Sequence, residues 1–521
     1  MEIKMQNSGP NKKNIVFVIS LLLTIALSLW AVLFSTGFAH AAELIYTLIT
    51  DNFGWLYLLA MLIFVVFAVA VAFSKWGNIR LGADDSVPDY STKSWFAMLF
   101  GAGMGVGLVY WGAAEPASHL TAPISGIEPG SAEAIGFAFR SSFMHWGFHP
   151  WANYCIIGLC LAYFTFRKNR PSLISSIFEP LIGRKGTEGL AGRTIDILAV
   201  FATVAGVVTS LGLGVLQINA GLNYIFGIPV NTLVKIIIVV VISLIFTVSS
   251  VGGIGSVIQK IGDANLYIAI ALMAAVFLLG PRVEMLENLT NGIGQYLQNF
   301  FGDSLMMLPG SDDPWIGNWR ILYWAWWIAW APFVGSFIAR ISRGRTIREF
   351  ILGVVFAPAL GSILWFAIMG TLPIHLVETG ALSLQELTEL TSAPENVMFA
   401  VMGSYPLGKL LCGVALVLLC TFFVTSASSS TFVLAMFTSN GNMNPPNKKK
   451  VLWGVMMSLL AIGVLISGGR KSVQTISLAA AFPFIFIMLF AMASFIKALK
   501  QENTGSLKLK KTGTKTEIKS E

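Results

Sequence analysis

Long apolar runs separated by short polar connections recur along the whole chain. A helix needs about twenty such residues to cross a bilayer core of ~30 Å. Runs of this kind occupy residues 15–34, 55–73, 95–114, 143–166, 195–226, 233–251, 265–280, 319–337, 350–369, 409–437, 451–466 and 473–496. The pattern predicts an all-α membrane protein with about twelve transmembrane helices. The fifth and tenth runs are longer than a span requires, which points to tilt or an extra turn. The first run, at about twenty residues, exceeds the h-region of a signal peptide, so it predicts a retained helix even though Ala39-His40-Ala41 follows it. After Pro281, the residues Met285, Leu286, Leu289, Ile293, Leu297, Phe300 and Phe301 recur close to a helical period. They predict an amphipathic helix on the outer surface, within 282–318.

Composition and charge refine this picture. The chain is 55% hydrophobic and 12% charged, whereas a soluble protein carries roughly a quarter charged residues. Most of its outer surface must therefore face lipid. The net charge of +8 sits in connections and at the ends, with no basic face that would fit nucleic acid. Lys12 and Lys13, Arg167 to Arg170, Arg184 and Lys185, Arg340 to Arg348, Lys448 to Lys450 and the Lys-rich tail from Lys497 all fall on one side of an alternating count. Glu378, Glu386, Glu389 and Glu395 fall on the other. The positive-inside rule then predicts a multi-pass plasma-membrane protein with both termini cytoplasmic. The polar ends, 1–14 and 498–521, read as tails, the second able to meet anionic lipid. Cys155, Cys160, Cys412 and Cys420 lie inside apolar runs and read as buried thiols, and the five histidines form no zinc pattern. With no soluble catalytic domain and no cluster of nucleophiles, an enzyme is not expected, nor a bound cofactor.

Three segments break the plain lipid-facing pattern. Gly101, Gly103, Gly105 and Gly107 alternate through the third run, followed by Tyr110-Trp111-Gly112 and Glu115-Pro116. Such a run either lets helices pack closely or opens the backbone beside a cavity. The eighth run contains Trp319, Arg320, Tyr323, Trp324, Trp326, Trp327 and Trp330. An interfacial belt explains Trp319, but at ~1.5 Å per residue Trp326 to Trp330 lie about 10–16 Å further in. That depth suits an aromatic cage, to which the fourth run adds Trp146, Trp151 and Tyr154. Cages bind quaternary ammonium over ring faces, at roughly 0.5–2 kcal/mol per ring. No acid is placed by the sequence beside these rings, so a zwitterion that brings its own carboxylate fits better than a bare cation. In the tenth run, Thr425, Ser426, Ser428, Ser429 and Ser430 either join helices by hydrogen bonds or offer hard oxygen ligands to Na⁺.

These residues carry a resemblance. The chain resembles the betaine/carnitine/choline transporter family in GAGMGVG with Glu115-Pro116, in His149-Pro150-Trp151 with Tyr154, and in Ser210-Leu211-Gly212-Leu213-Gly214. Most specific is the block from Tyr323 to Trp330, running on to Arg340-Ile341-Ser342-Arg343-Gly344-Arg345. The resemblance implies a leucine-transporter-like fold of two five-helix inverted repeats, 95–281 and 319–497, after two N-terminal helices in 15–94. It implies a substrate prism from Trp146, Trp151, Tyr154 and Trp327, with Trp326 and Trp330 on the access path and Gly103, Gly105, Gly107 and Ser428 nearby. It implies a Na⁺ site from Gly101, Met104, Phe422, Thr425 and Ser426, and a second from Thr203 and Phe333. A homotrimer is implied as well.

Three positions depart from the family pattern: Arg320 stands where Thr is usual, Val207 replaces a hydroxyl four residues after Thr203, and Ser428 stands where many members have Asp. Gly107, where choline carriers tend to have Asp, favours a zwitterion. The expected function is Na⁺-coupled uptake of glycine betaine or a related compatible solute by alternating access, with a choline or carnitine carrier as the alternative.

Overall fold

The computed structural model describes the backbone of residues 15–103, 105–251 and 255–516, and the side chains of these except 100–103, 250–251, 255–260 and 503–516. Among the described residues the protein is helical with no strand, and one isolated bridge joins Arg80 to Thr346. Along the chain come α1 (Ile15–Leu33), α2 (Ser35–Phe73), α3 (Thr92–Gly103), α4 (Val106–Thr121), α5 (Ala132–Trp146) and α6 (Phe148–Ala162). There follow α7 (Glu179–Glu188), α8 (Leu190–Phe226), α9 (Thr232–Val251), α10 (Gly255–Leu279), α11 (Arg282–Gln298) and α12 (Phe300–Ser304). The last six are α13 (Leu322–Arg340), α14 (Ile347–Glu378), α15 (Leu384–Ser392), α16 (Pro394–Gly403), α17 (Gly408–Phe437) and α18 (Asn447–Thr516).

Among the described residues, nine helices are long and apolar enough to cross a membrane. Ten of the twelve expected spans fall within these nine, because one of the nine holds two. The 56-residue stretch from Asn447 to Glu502 turns at Gly468 and Gly469, which are not helical. Gly469 has φ 57° and ψ −135°, a region open to glycine and costly for any residue with a Cβ. The third and fourth spans escape a test of length because each is broken. α3 ends at Gly103 and α4 starts after Gly105, whose backbone is extended (φ −123°, ψ −157°). α5 and α6 are separated by Gly147, and α6 ends in a π-helical turn, Tyr163–Arg167. The fourth span therefore begins earlier than the predicted 143, at Ala132, with Ser131 capping the amide of Ala134.

Burial separates scaffold from interior. The apolar windows of Ile316–Arg340 and Leu190–Phe226 are 89% and 83% buried, those of Ile261–Leu279, Thr232–Ser249 and Ile15–Leu33 only 17%, 22% and 28%. α13 and α8 thus form the centre, α13 packed on α6 and α8 on the final helix. α1 and α2 lean on α18 from outside.

The predicted surface helix exists as α11, with a correction. Its buried face, Met285, Gly292 and Tyr296, packs on α5 and α14, while Leu286 and Leu297 stay exposed. It is part of the protein wall, because the apolar stripe is wide enough to serve two neighbours. The polar tail from 498 also differs: the α18 backbone continues as far as Thr516. Lys, Leu and Glu are good helix formers that can prolong a helix already nucleated. Glu502, at the start of that tail, bridges Arg167 and Lys168, each at 2.7 Å.

The basic motif after α13 has a structural duty. Gly344 (φ +81°) lies so close to the Val87 carbonyl that a Cβ would stand 2.1 Å from its oxygen. Ser342 accepts the Trp95 indole N–H at 2.9 Å, and the Arg345 guanidinium lies 4.0 Å from the Trp95 ring. Thr346 and Glu349 then form a capping box that starts α14.

Candidate functional site

α13 carries Trp326 and Trp330 one turn apart, and α8 carries Gly206 and Ser210 at the same interval. The two helices meet in register: the Trp330 indole donates to the Gly206 carbonyl at 2.6 Å and the Trp326 indole to the Ser210 hydroxyl at 3.2 Å. Gly206 is required here, since a Cβ would lie 2.4 Å from the Trp330 ring. Trp327 points to another neighbour. Its indole donates at 2.9 Å to the carbonyl of His145, in the last turn of α5. That carbonyl has no helical partner because the chain breaks at Gly147. Asn153 on α6 in turn donates to the Trp327 carbonyl at 2.8 Å.

The rings so fixed enclose one another. Trp146 stands edge-on to Trp327 (4.8 Å between centroids, 76°) and to Trp326 (6.2 Å, 87°), while Trp326 and Trp327 are nearly parallel at 4.7 Å. Tyr154 stands edge-on to Trp327 at 6.3 Å and to Trp151 at 5.7 Å. All are buried. Trp330 contacts Phe333 at 5.4 Å. The cage residues expected from the sequence are therefore one cluster, although they come from α5, α6 and α13.

Gly107 lies where the cage closes. A Cβ there would come within 2.7 Å of the Trp326 ring and 2.9 Å of the Trp146 ring. Any side chain at this position would wedge the tryptophans apart. Of Gly101 and Gly103 only the helical backbone is described, and Met104 lies outside the described residues. The glycine run does interrupt the helix, as an opened backbone requires.

The expectation that no acid stands beside the rings is overturned. Glu115, fully buried, accepts from the Trp146 indole at 2.7 Å and from the Tyr323 hydroxyl at 2.5 Å through Oε2, and pairs with His145 Nδ1 at 2.6 Å through Oε1. His119 Nε2 stands 3.4 Å from the same Oε1. Glu115, His119 and His145 could hold a metal ion by residue type, since their ligand atoms lie within 4.8 Å of one another. The carboxylate is instead occupied as the anchor of Trp146 and Tyr323. The sequence motifs contain Glu115 and Tyr323, but their pattern along the chain gives neither a role. The signal was there: an ionisable residue eight positions past Gly107 in an apolar run is functional by default.

On the α17 side, Thr425 donates to the Thr421 and Phe422 carbonyls at 3.1 Å each, and the Asn265 amide lies 3.5 Å from its hydroxyl. Ser426 lines a small gap of about 10 Å³ with Val106, Val207, Ser210, Trp330 and Phe423. A Cβ at Gly105 would lie 3.6 Å from the Ser426 hydroxyl, so the broken helix faces that hydroxyl. Phe422 is buried beside them. Ser428 is turned elsewhere, its hydroxyl donating to the Phe246 carbonyl at 3.3 Å. Thr203 is fully buried and donates to Ala199 at 2.8 Å.

Arg320 is buried too. It donates to the Asp303 carbonyl and lies 5.2 Å from the Trp315 ring centroid. Asp303 also meets Arg140 at 2.9 Å, and burial pushes its carboxyl above the usual range against the pull of both arginines. Arg320 thus ties the start of the tryptophan helix to the external segment α12. Next to the cage, a cavity of about 310 Å³ reaches Tyr323 and Trp326.

Comparison with known proteins shows the family. The sequence profile of the betaine/carnitine/choline family transporters matches residues 15–504. A protein named as a probable glycine betaine transporter from Desulfitobacterium hafniense (strain Y51) is 45% identical, over 95% of this chain and 100% of its own. A glycine betaine transporter of Bacillus subtilis (strain 168) is 44% identical, over 94% of each chain. An ectoine/hydroxyectoine transporter of Virgibacillus pantothenticus is 40% identical, over 94% of this chain and 97% of its own. With transporters as its relatives and a profile match over nearly its whole length, this multi-pass membrane protein is no enzyme but a member of the betaine/carnitine/choline transporter family.

Proposed function

We propose that this protein takes up glycine betaine or a related quaternary-ammonium compatible solute, driven by Na⁺. The observation that carries the reading is the cage of Trp146, Trp326 and Trp327, whose indole N–H groups are all held by protein acceptors. Locked N–H groups leave ring faces as the recognition surface, and a trimethylammonium group, having no N–H to donate, binds faces. Tyr154 and Trp151 extend this surface. Glu115 offers a substrate no open oxygen, because its oxygens already accept from Trp146 and Tyr323 and pair with His145. With no room for an acid at Gly107, a substrate that carries its own carboxylate is favoured over choline.

Na⁺ would bind as co-substrate between the broken third span at Gly101 to Gly105 and the α17 hydroxyls of Thr425 and Ser426, near the Phe422 carbonyl. A second ion would use Thr203 and the region of Phe333. Residues 95–281 and 319–497 would act as two repeats that rock about the cage, with both termini in the cytoplasm. The Lys-rich tail would face anionic lipid, and three copies would assemble. Ectoine is a second reading, favoured by the name of one relative. Uptake of radiolabelled betaine, choline, carnitine and ectoine into proteoliposomes, with and without a Na⁺ gradient, tests the proposal. Accumulation of betaine only with the gradient is expected; accumulation indifferent to Na⁺ removes the coupling, and none at all removes the function.

A further inference from the structure

The cavity of about 310 Å³ beside the cage has two chemically distinct sides. One is aromatic: Trp111, Trp319, Tyr323 and Trp326. Trp326 belongs to both the cavity and the cage, so a solute resting here lies one ring from the Trp146–Trp327 pair. The other side is cationic. Arg470 and Lys471 are the charged side chains that line the cavity, and no carboxylate is among its lining residues.

The backbone explains why these cations are there. The break at Gly468 and Gly469 reverses the chain between the last two spans, and Arg470 and Lys471 are the next residues. Lys471 is already paired, 2.6 Å from Glu43, with its ammonium 5.3 Å from the Tyr46 ring. Arg470 is different. Among the described residues no carboxylate lies within 4.0 Å of its guanidinium. It interacts with Tyr110 by charge and by a side-chain hydrogen bond, and the Tyr110 hydroxyl donates to Glu395 at 3.0 Å. Glu395, on α16, is the acid that faces Arg470 across this tyrosine, and Glu43 on α2 is held by Lys471.

We propose that Arg470 is a specificity-determining residue that selects, at this entrance, substrates in which a quaternary ammonium is joined to a carboxylate. The aromatic side takes the ammonium head and the guanidinium takes the carboxylate, in the charge-assisted pairing for which its planar donors are suited. A cation without a carboxylate meets the same rings but is repelled by Arg470. This inference rests on the uptake reading above and deepens it: it assigns discrimination against choline to a charge outside the cage.

The test uses the purified full-length protein and its own tryptophan fluorescence, since Trp111, Trp319 and Trp326 line the cavity. Wild type is titrated with glycine betaine, with its methyl ester (the same head without the negative charge) and with choline. Betaine is expected to bind about tenfold more tightly than either cation, the scale of one unit charge removed at short range in a partly aqueous site. In Arg470→Gln the betaine advantage should shrink several-fold, with choline binding tighter than in wild type; Arg470→Lys should keep most of it. A wild type that binds the methyl ester as well as betaine overturns the proposal without any variant. An unchanged betaine-to-choline ratio in Arg470→Gln overturns it as well, while leaving the uptake reading intact. Binding of none of the three by wild type sinks both.

Discussion

At the scale of single residues, the cage depends on where each indole N–H goes. Trp327 and Trp146 sit against each other, yet they answer to different acceptors, the His145 carbonyl and Glu115. Replacing Trp327 by Leu removes a ring face and frees that carbonyl. The variant is expected to lose betaine uptake while remaining in the membrane at normal abundance; normal uptake would dismiss the cage. Trp146→Phe keeps an aromatic face but strips Glu115 of one donor. Loss of a hydrogen bond to a charged group costs about 1.5–3 kcal/mol. That energy holds the ring in place for the ligand and sets the upper limit of the expected loss in betaine affinity, about one to two orders of magnitude, read by isothermal titration. A Trp146→Phe protein that binds as tightly as wild type would show the Glu115 anchor to be irrelevant.

At the scale of elements, interruption matters more than continuity. The third span breaks after Gly103 and the fourth at Gly147, and the two breaks serve different ends. The first turns the start of α4 toward Ser426. The second leaves the His145 carbonyl available to Trp327. α17 crosses opposite the first break with Thr425 and Ser426 on one stretch. If those hydroxyls are ligands, the Thr425→Ala/Ser426→Ala double variant should need a higher Na⁺ concentration for half-maximal uptake, with its maximal rate approached at saturating Na⁺. An unchanged Na⁺ profile would reduce the pair to packing. Much of this scale was legible beforehand, since alternating glycines announce a weak helix. The Gly147 break was not, because one glycine in an apolar run has no period to betray it.

At the scale of the whole molecule, the helices divide into an interior around α8 and α13 and a lipid-facing rim that includes α1, α9 and α10. The proposed orientation places the basic loops and both termini in the cytoplasm. In a protein freed of its native cysteines, Lys448→Cys should react with an impermeant maleimide only after the cells are opened. Glu389→Cys, on exposed α15, should react in intact cells. The reverse pattern would invert the topology and place the Arg470 entrance on the wrong side for uptake.

The apolar runs determined the helical class and where most spans lie, because span length and helical period are local properties. Tertiary structure decided which acceptor holds each indole, that Glu115 serves as anchor, that Gly107 has no space for a Cβ, and that Arg470 faces an aromatic wall. Those facts join residues far apart in sequence, as Trp327 is from His145 or Arg470 from Trp326. Periodicity reports how a residue faces its own helix axis, and says nothing of what the next helix will bring to meet it.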